Sequence, residues 1–248
     1  MTTSTPLCGT LSNHTARLQI NFKKSIFSVD TTTWMWYNGL KKLETPFNQL
    51  ENILKTPTWA QLDAITGKLS QTSKMSCHSF SLPALDACPT GEKLSKIEGS
   101  VCNTCYACKG MYRFKTTIAP RKIRHQLILA AMADDPKQWV EAMVASIIKT
   151  KNPLFRWHDS GDIFSFEYLL LIMEVARLTP DTEHWIPTKE KTKISKLIRD
   201  GHTIPENVVF RISDSMIGVS SKTGIDHPSV TQCGTLSKED TKKLKNNE

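Results

Sequence analysis

The chain has 248 residues, 39% hydrophobic and 23% charged, with a formal net charge of +8 and a pI of about 9.1. That length supports one large domain, or one domain with a small appendage, and excludes a scaffold that relies on disulfides in place of a core. No run approaches the roughly 20 apolar residues of a membrane helix, and the opening MTTSTPLCGTLSNHTARLQ lacks the basic start and apolar run of a secretory signal. The expected setting is a reducing cytoplasm, where clustered cysteines read as metal-binding or catalytic rather than as disulfides. The basic balance admits an anionic partner such as a nucleotide or nucleic acid. Much of the lysine is local, in KTKISK at 191–196 and in the last residues, where solvated surface explains it equally well.

Residues 1–75 read as an N-terminal extension that packs against the main domain. They contain an aromatic, β-rich stretch, FSVDTTTWMWYNGL, and a short helix in WAQLDAITGKLSQTSK. From residue 76 a rhythm begins. CHSFSLPA has strand character and stops at Pro83, and a cysteine-rich loop follows. Residues 120–150 show helical spacing interrupted at DDP. PLFRWHD, 153–159, is a strand, and 165–180 an amphipathic helix with Ser165 as N-cap and Pro180 beyond its end. EHWIPTK is a strand, KTKISKLIRDG a helix closed by Gly201, and NVVFRISDS, 207–215, a further strand. This alternation predicts an α/β domain over 76–220 with parallel strands, TIM-barrel-like or a partial (β/α) barrel. Residues 221–248 are expected to be a polar, lysine-rich, disordered tail.

In parallel α/β folds, sites gather at the carboxyl ends of the strands. Four polar clusters fall there: the cysteine loop, HDSGD (His158 to Asp162), PTK (Pro187 to Lys189) and SDS (Ser213 to Ser215). The loop carries Cys88, Cys102, Cys105 and Cys108, spaced C-x13-C-x2-C-x2-C. Four thiolates suit a closed zinc site, and closely spaced cysteines suit an iron–sulfur cluster. A purely structural role for some of them remains open. Cys8, Cys77 and Cys233 are isolated and expected to be ordinary core or surface residues. His158 is a candidate general base or metal ligand, or else a hydrogen-bonded buried residue. Asp159 and Asp162 could bind a cationic amine or a metal, or form a turn with Asp162 capping the next helix. Arg113, Arg121 and Arg124 are candidates for clamping a phosphate or carboxylate, against the alternative of a solvated helix face. Lys189 could reach the mouth of the site or belong to a basic surface with Lys191 and Lys193. Trp157 and Trp185 are expected in the core more than as base-stacking platforms.

SLPALDACP, CNTCYACKGMYRF, RWHDSGD, HWIPTKE and NVVFRISDSM, in that order, resemble the phage gene product 88 family from about Ser79 to Ser221. A wider similarity links Cys88, Cys102, Cys105, Tyr106 and Ala107, Ser160 to Asp162, and Thr188 with Lys189 to the phage Gp37/Gp68 family. That family resembles radical S-adenosylmethionine enzymes. This resemblance implies a [4Fe–4S] cluster on Cys88, Cys102 and Cys105, with Cys108 spare. It places Asp159, Ser160 and Asp162 near the methionine moiety of S-adenosylmethionine, and Ser213 or Ser215 near its ribose, with Gly161, Lys189 and Arg211 also on the cofactor. The first cysteine gap, thirteen residues, departs from the usual C-x3-C-x2-C. HDSGDIFS also resembles the DSGGF-type motif of the tRNA-guanine transglycosylases. This second resemblance implies Asp159 as base recogniser, Asp214 as nucleophile and a zinc site in the cysteine loop. The third expectation is a zinc-stabilised nucleic-acid-binding protein without catalysis.

Overall fold

A computed structural model describes residues 57–71, 75–219, 222–237 and 240–242; the FSVDTTTWMWYNGL stretch lies outside them. In chain order the elements are α1 (Trp59–Thr66), β1 (Ser70–Gln71), β2 (His78–Phe80), α2 (Pro89–Ser95), α3 (Lys115–Ala133), α4 (Pro136–Thr150), β3 (Leu154–Trp157), α5 (Phe166–Arg177), β4 (Glu183–Thr188), α6 (Lys191–Arg199), β5 (Val208–Ile217) and β6 (Val230–Thr235). Local chemistry sets their ends. Thr58 and Gln61 form a reciprocal capping box at α1. Asp135 caps α4, with Pro136 at its first position. Ser165 caps α5, its Oγ accepting from the Tyr168 N–H at 3.1 Å. Helix α3 starts at Lys115, ahead of Pro120. Proline suits a first turn, which is why the sequence suggests the later start.

The strands form one six-stranded sheet in the order β1-β2-β3-β4-β5-β6. β1 is antiparallel to β2, and every later neighbour is parallel. The fold is therefore α/β with a mostly parallel sheet, as expected. The sheet is not closed: β1 and β6 are its edges, so a complete barrel is not formed. Strand β6 lies within the stretch read from sequence as a disordered tail, which is a correction. Its side chains are half-buried or exposed throughout, so VTQCGT carries none of the apolar alternation that marks a strand in sequence. Helix α1 and strand β1, from the stretch assigned to the extension, join the main body: β1 pairs with β2 and α1 packs on α4.

Consecutive strand order with right-handed crossovers keeps the connecting helices on one side of the sheet. Burial agrees. Phe155, Trp157, His184, Ile186, Val208, Phe210 and Ile212 are buried, while the residues between them, Leu154, Arg156, Glu183, Trp185, Val209 and Arg211, are half-buried or exposed. On the covered face Phe80 meets Trp139 of α4 edge-on at 5.6 Å and Trp157 at 5.9 Å. Trp157 is thus core, while Trp185 stands on the opposite, open face. Among the described residues, no helix is long and apolar enough to cross a membrane.

Candidate functional site

The four polar clusters converge at the carboxyl ends of β2 to β5, joined by hydrogen bonds between loops. The Leu82 N–H donates to the Ser160 carbonyl at 2.9 Å, and Ser160 Oγ donates to the Leu82 carbonyl at 2.7 Å. The Asp162 N–H donates to Ala87 at 2.8 Å. Asp162 then reaches β4, accepting from Thr188 Oγ1 at 2.6 Å and the Lys189 N–H at 2.9 Å. Lys189 Nζ donates to the Asp214 carbonyl on β5 at 2.6 Å. The Val101 N–H donates to the Ser215 carbonyl at 3.0 Å, attaching the cysteine loop to the same strand. Glu190 is buried, and its Oε1 accepts from the Thr90 N–H at 2.8 Å, at the start of the helix that follows Cys88.

Two glycines make this packing feasible. Gly161 has φ +80°, and a Cβ there would lie 2.5 Å from Leu82 Cβ and 3.0 Å from Leu82 backbone atoms. Gly91 is buried in α2, and a Cβ there would lie 2.9 Å from Cys88 Cβ, 3.6 Å from Cys102 Sγ and 3.8 Å from Cys88 Sγ. Cys88 and Cys102, with thirteen residues between them in the chain, thus share one cradle. Cys105 and Cys108 follow at successive turns, each N–H bonded to the carbonyl three residues back at 3.2 Å. Cys102 and Cys105 bear electrostatically on Cys88, and Cys105 on Cys108. All four are free thiols. Burial first, then the Asp162 carboxylate, pushes the Cys88 thiol far up; burial raises Cys102 against the pull of Lys189; and burial, then Cys105, raises Cys108. A thiophilic metal would have to displace those protons. Among the described residues no group of three or more potential ligands stands closed around a common point. The thiols suit a metal–thiolate centre in donor type, and Gly91 leaves beside Cys88 and Cys102 the space that a side chain would fill.

Asp162 is buried, and its carboxyl is raised from 3.8 to about 6 by burial, against the lowering effect of bonds from Thr188, Lys189 and Ile163. A carboxyl raised in the folded state favours folding in its protonated form. Its ionisation therefore costs stability as pH rises from about 4 to about 6, on the order of 3 kcal/mol in full. In urea titrations of wild type and Asp162→Asn, the wild type is expected to gain stability relative to the variant as pH falls through that window. A constant difference across the window would show that Asp162 does not titrate there.

The remaining candidates divide. Asp159 is 5% exposed and fully engaged, by Arg156 Nη1 at 3.2 Å, Arg121 Nη2 at 3.6 Å and Tyr112 Oη at 2.8 Å, while Tyr106 Oη donates to its carbonyl. His158 has φ +58°, and its Nε2 lies 3.0 Å from Tyr168 Oη. Burial, then Arg156, lowers its pKa to about 3, so it is a neutral, hydrogen-bonded buried residue. Asp214 is buried and accepts from Gln232 Nε2 at 2.7 Å. Ser213 is half-buried with its Oγ 3.7 Å from Cys233 Sγ, and the Ser215 side chain is exposed.

The arginines separate most clearly. Arg113 is exposed. Arg121 is buried against Asp159 and stacks 4.6 Å over Tyr112. Arg124 corrects both sequence readings, the phosphate clamp and the solvated face. It is 3% exposed, and its donors go to Lys68 O at 2.8 Å, Ser81 O at 2.7 Å and Ser70 Oγ at 2.7 Å. Sequence reasoning passed over Tyr112, Arg156 and Glu190. Their signal was position: Arg156 sits on a strand beside HDSGD, Glu190 follows PTK, and Tyr112 follows the last cysteine.

These features define an α/β protein with a thiol-lined site at the carboxyl edge of a parallel sheet. The family model described as gene product 88 matches residues 48–232, and the chain belongs to that family. Comparison with curated proteins gave no match, and comparison with solved structures gave none.

Proposed function

We propose that this chain is an iron–sulfur enzyme of the radical S-adenosylmethionine type, a partial barrel that modifies a nucleotide or nucleic-acid base in the cytoplasm (the host's, if a phage encodes it). The observation that supports this reading is the approach of Cys88 and Cys102 beside Gly91, with Cys105 and Cys108 on the same loop after the first parallel strand and electrostatically linked to them. Cys88, Cys102 and Cys105 would hold the cluster. When bound, a [4Fe–4S] cluster supplies one electron to cleave the sulfonium of S-adenosylmethionine.

The protein's own residues do the positioning. Ser160 and Asp162 tie the loops after β2, β3 and β4 together. Their hydrogen-bonding capacity goes to the frame, so they set the site's shape and do not offer free acceptors to the methionine moiety. Lys189 brings a cation beside Cys102, and Ser213 and Ser215 lie at the adjoining strand end. The base-exchange reading draws less support, because the Asp159 carboxylate is already held by two arginines and a tyrosine. A structural zinc site is the second reading, favoured by Cys108 beside Cys105 as a fourth thiol. The test is to incubate anaerobically reconstituted protein with S-adenosylmethionine and a strong reductant and to follow cofactor cleavage by chromatography. Cleavage that disappears in Cys105→Ala is the expected result; no cleavage by cluster-loaded protein would remove the radical reading.

A further inference from the structure

The open face of the sheet carries a groove that the cysteine site does not use. It has a volume of about 390 Å³ and is lined by Met75, Leu154, Glu183, Trp185, Val209 and Arg211 among others. That volume lies in the range of small-ligand sites. Leu154 and Val209, on internal strands, are 45% and 38% exposed, so among the described residues this face lacks the helix cover of the opposite one. Arg156 lies 4.8 Å from the centre of the Trp185 ring, held there by Asp159 and by contact with Met75 Sδ at 3.1 Å. The ring is thereby fixed in orientation. Arg211 pairs in register with Pro187, one strand over and two residues along from Trp185, a displacement of roughly 8 Å by sheet spacing. Arg211 is exposed, and no carboxylate pairs with it among the described residues.

We infer that this face binds an unpaired nucleotide, its base against Trp185 and its phosphate on Arg211. An aromatic ring fixed by one guanidinium, with a second, unpaired guanidinium about a base-to-phosphate distance away, suits a flat π-face joined to an anion. A purely apolar ligand would leave Arg211 unused, and a simple anion would leave Trp185 unused. The chain's net charge of +8 favours the same partner. The inference deepens the nucleotide-substrate reading above and rests on it for the substrate class, while the groove itself is separate from the thiols.

Fluorescence anisotropy with a labelled twelve-nucleotide single-stranded DNA at physiological salt tests this, with an unlabelled nucleoside 5′-monophosphate as competitor and the duplex of the same length as control. Trp185→Ala and Arg211→Glu are each expected to weaken single-strand binding at least about tenfold; Arg211→Glu alters only an exposed side chain and guards against a folding artefact. Full competition by the monophosphate assigns the site to free nucleotides, and failure to compete assigns it to a strand. Cys105→Ala should bind as wild type does, so loss of the cluster and loss of the groove are read separately. No binding, equal binding of the duplex, or binding unchanged in both groove variants overturns the inference.

Discussion

Gly161→Ala is expected to cost about 2–5 kcal/mol in chemical denaturation and to open the site. Two effects add. A non-glycine residue at φ +80° is strained, and its Cβ would meet Leu82, including backbone atoms, at 2.5–3.0 Å. Backbone cannot rotate away as a flexible side chain can. The neighbouring bonds, Ser160 to Leu82 and Asp162 to Ala87, are those that hold the loop after β3 against the loop after β2. The variant should therefore lose thiol-dependent metal uptake as well as stability. A melting temperature equal to wild type would show that the loops are not fixed by this contact.

Arg124→Met is expected to lose about 2–4 kcal/mol. Burial pulls the guanidinium down to about 10, yet it stays charged at neutral pH, held by three hydrogen bonds. Methionine relieves the desolvation cost but leaves the Lys68 and Ser81 carbonyls and the Ser70 hydroxyl without their donor. Arg124 joins the α1–β1 connection to the end of β2, so β1 should detach first, read as faster hydrogen exchange around residues 68–71. Arg124→Lys is expected to recover less than half of the loss, because an ammonium cannot span three diverging acceptors. Full recovery would mean that charge, not geometry, is what matters there.

The repeating strand and helix pattern made the core of this fold legible in sequence, because β3, β4 and β5 alternate buried and less buried residues and α5 is a largely apolar, mostly buried helix. Strand β6 was not legible: an edge strand half-exposed on both faces leaves no alternation. The convergence of the polar clusters followed from strand order, and the loop-to-loop bonds bear it out. The roles of individual residues did not follow. Asp159 looks like a free carboxylate in HDSGD, and only the fold shows Arg121 and Tyr112 arriving from a loop and helix far along the chain. Arg124 lies among exposed neighbours in sequence and is buried because the α1–β1 connection passes over it.

The most direct test of the account is the metal content and ultraviolet–visible spectrum of anaerobically purified protein, beside Cys105→Ala and Gly91→Ala. The account predicts about four irons per chain with broad absorbance near 400 nm, lost in Cys105→Ala and reduced in Gly91→Ala, whose added methyl group would crowd Cys88 and Cys102. A colourless protein holding one zinc, or no metal, would contradict it.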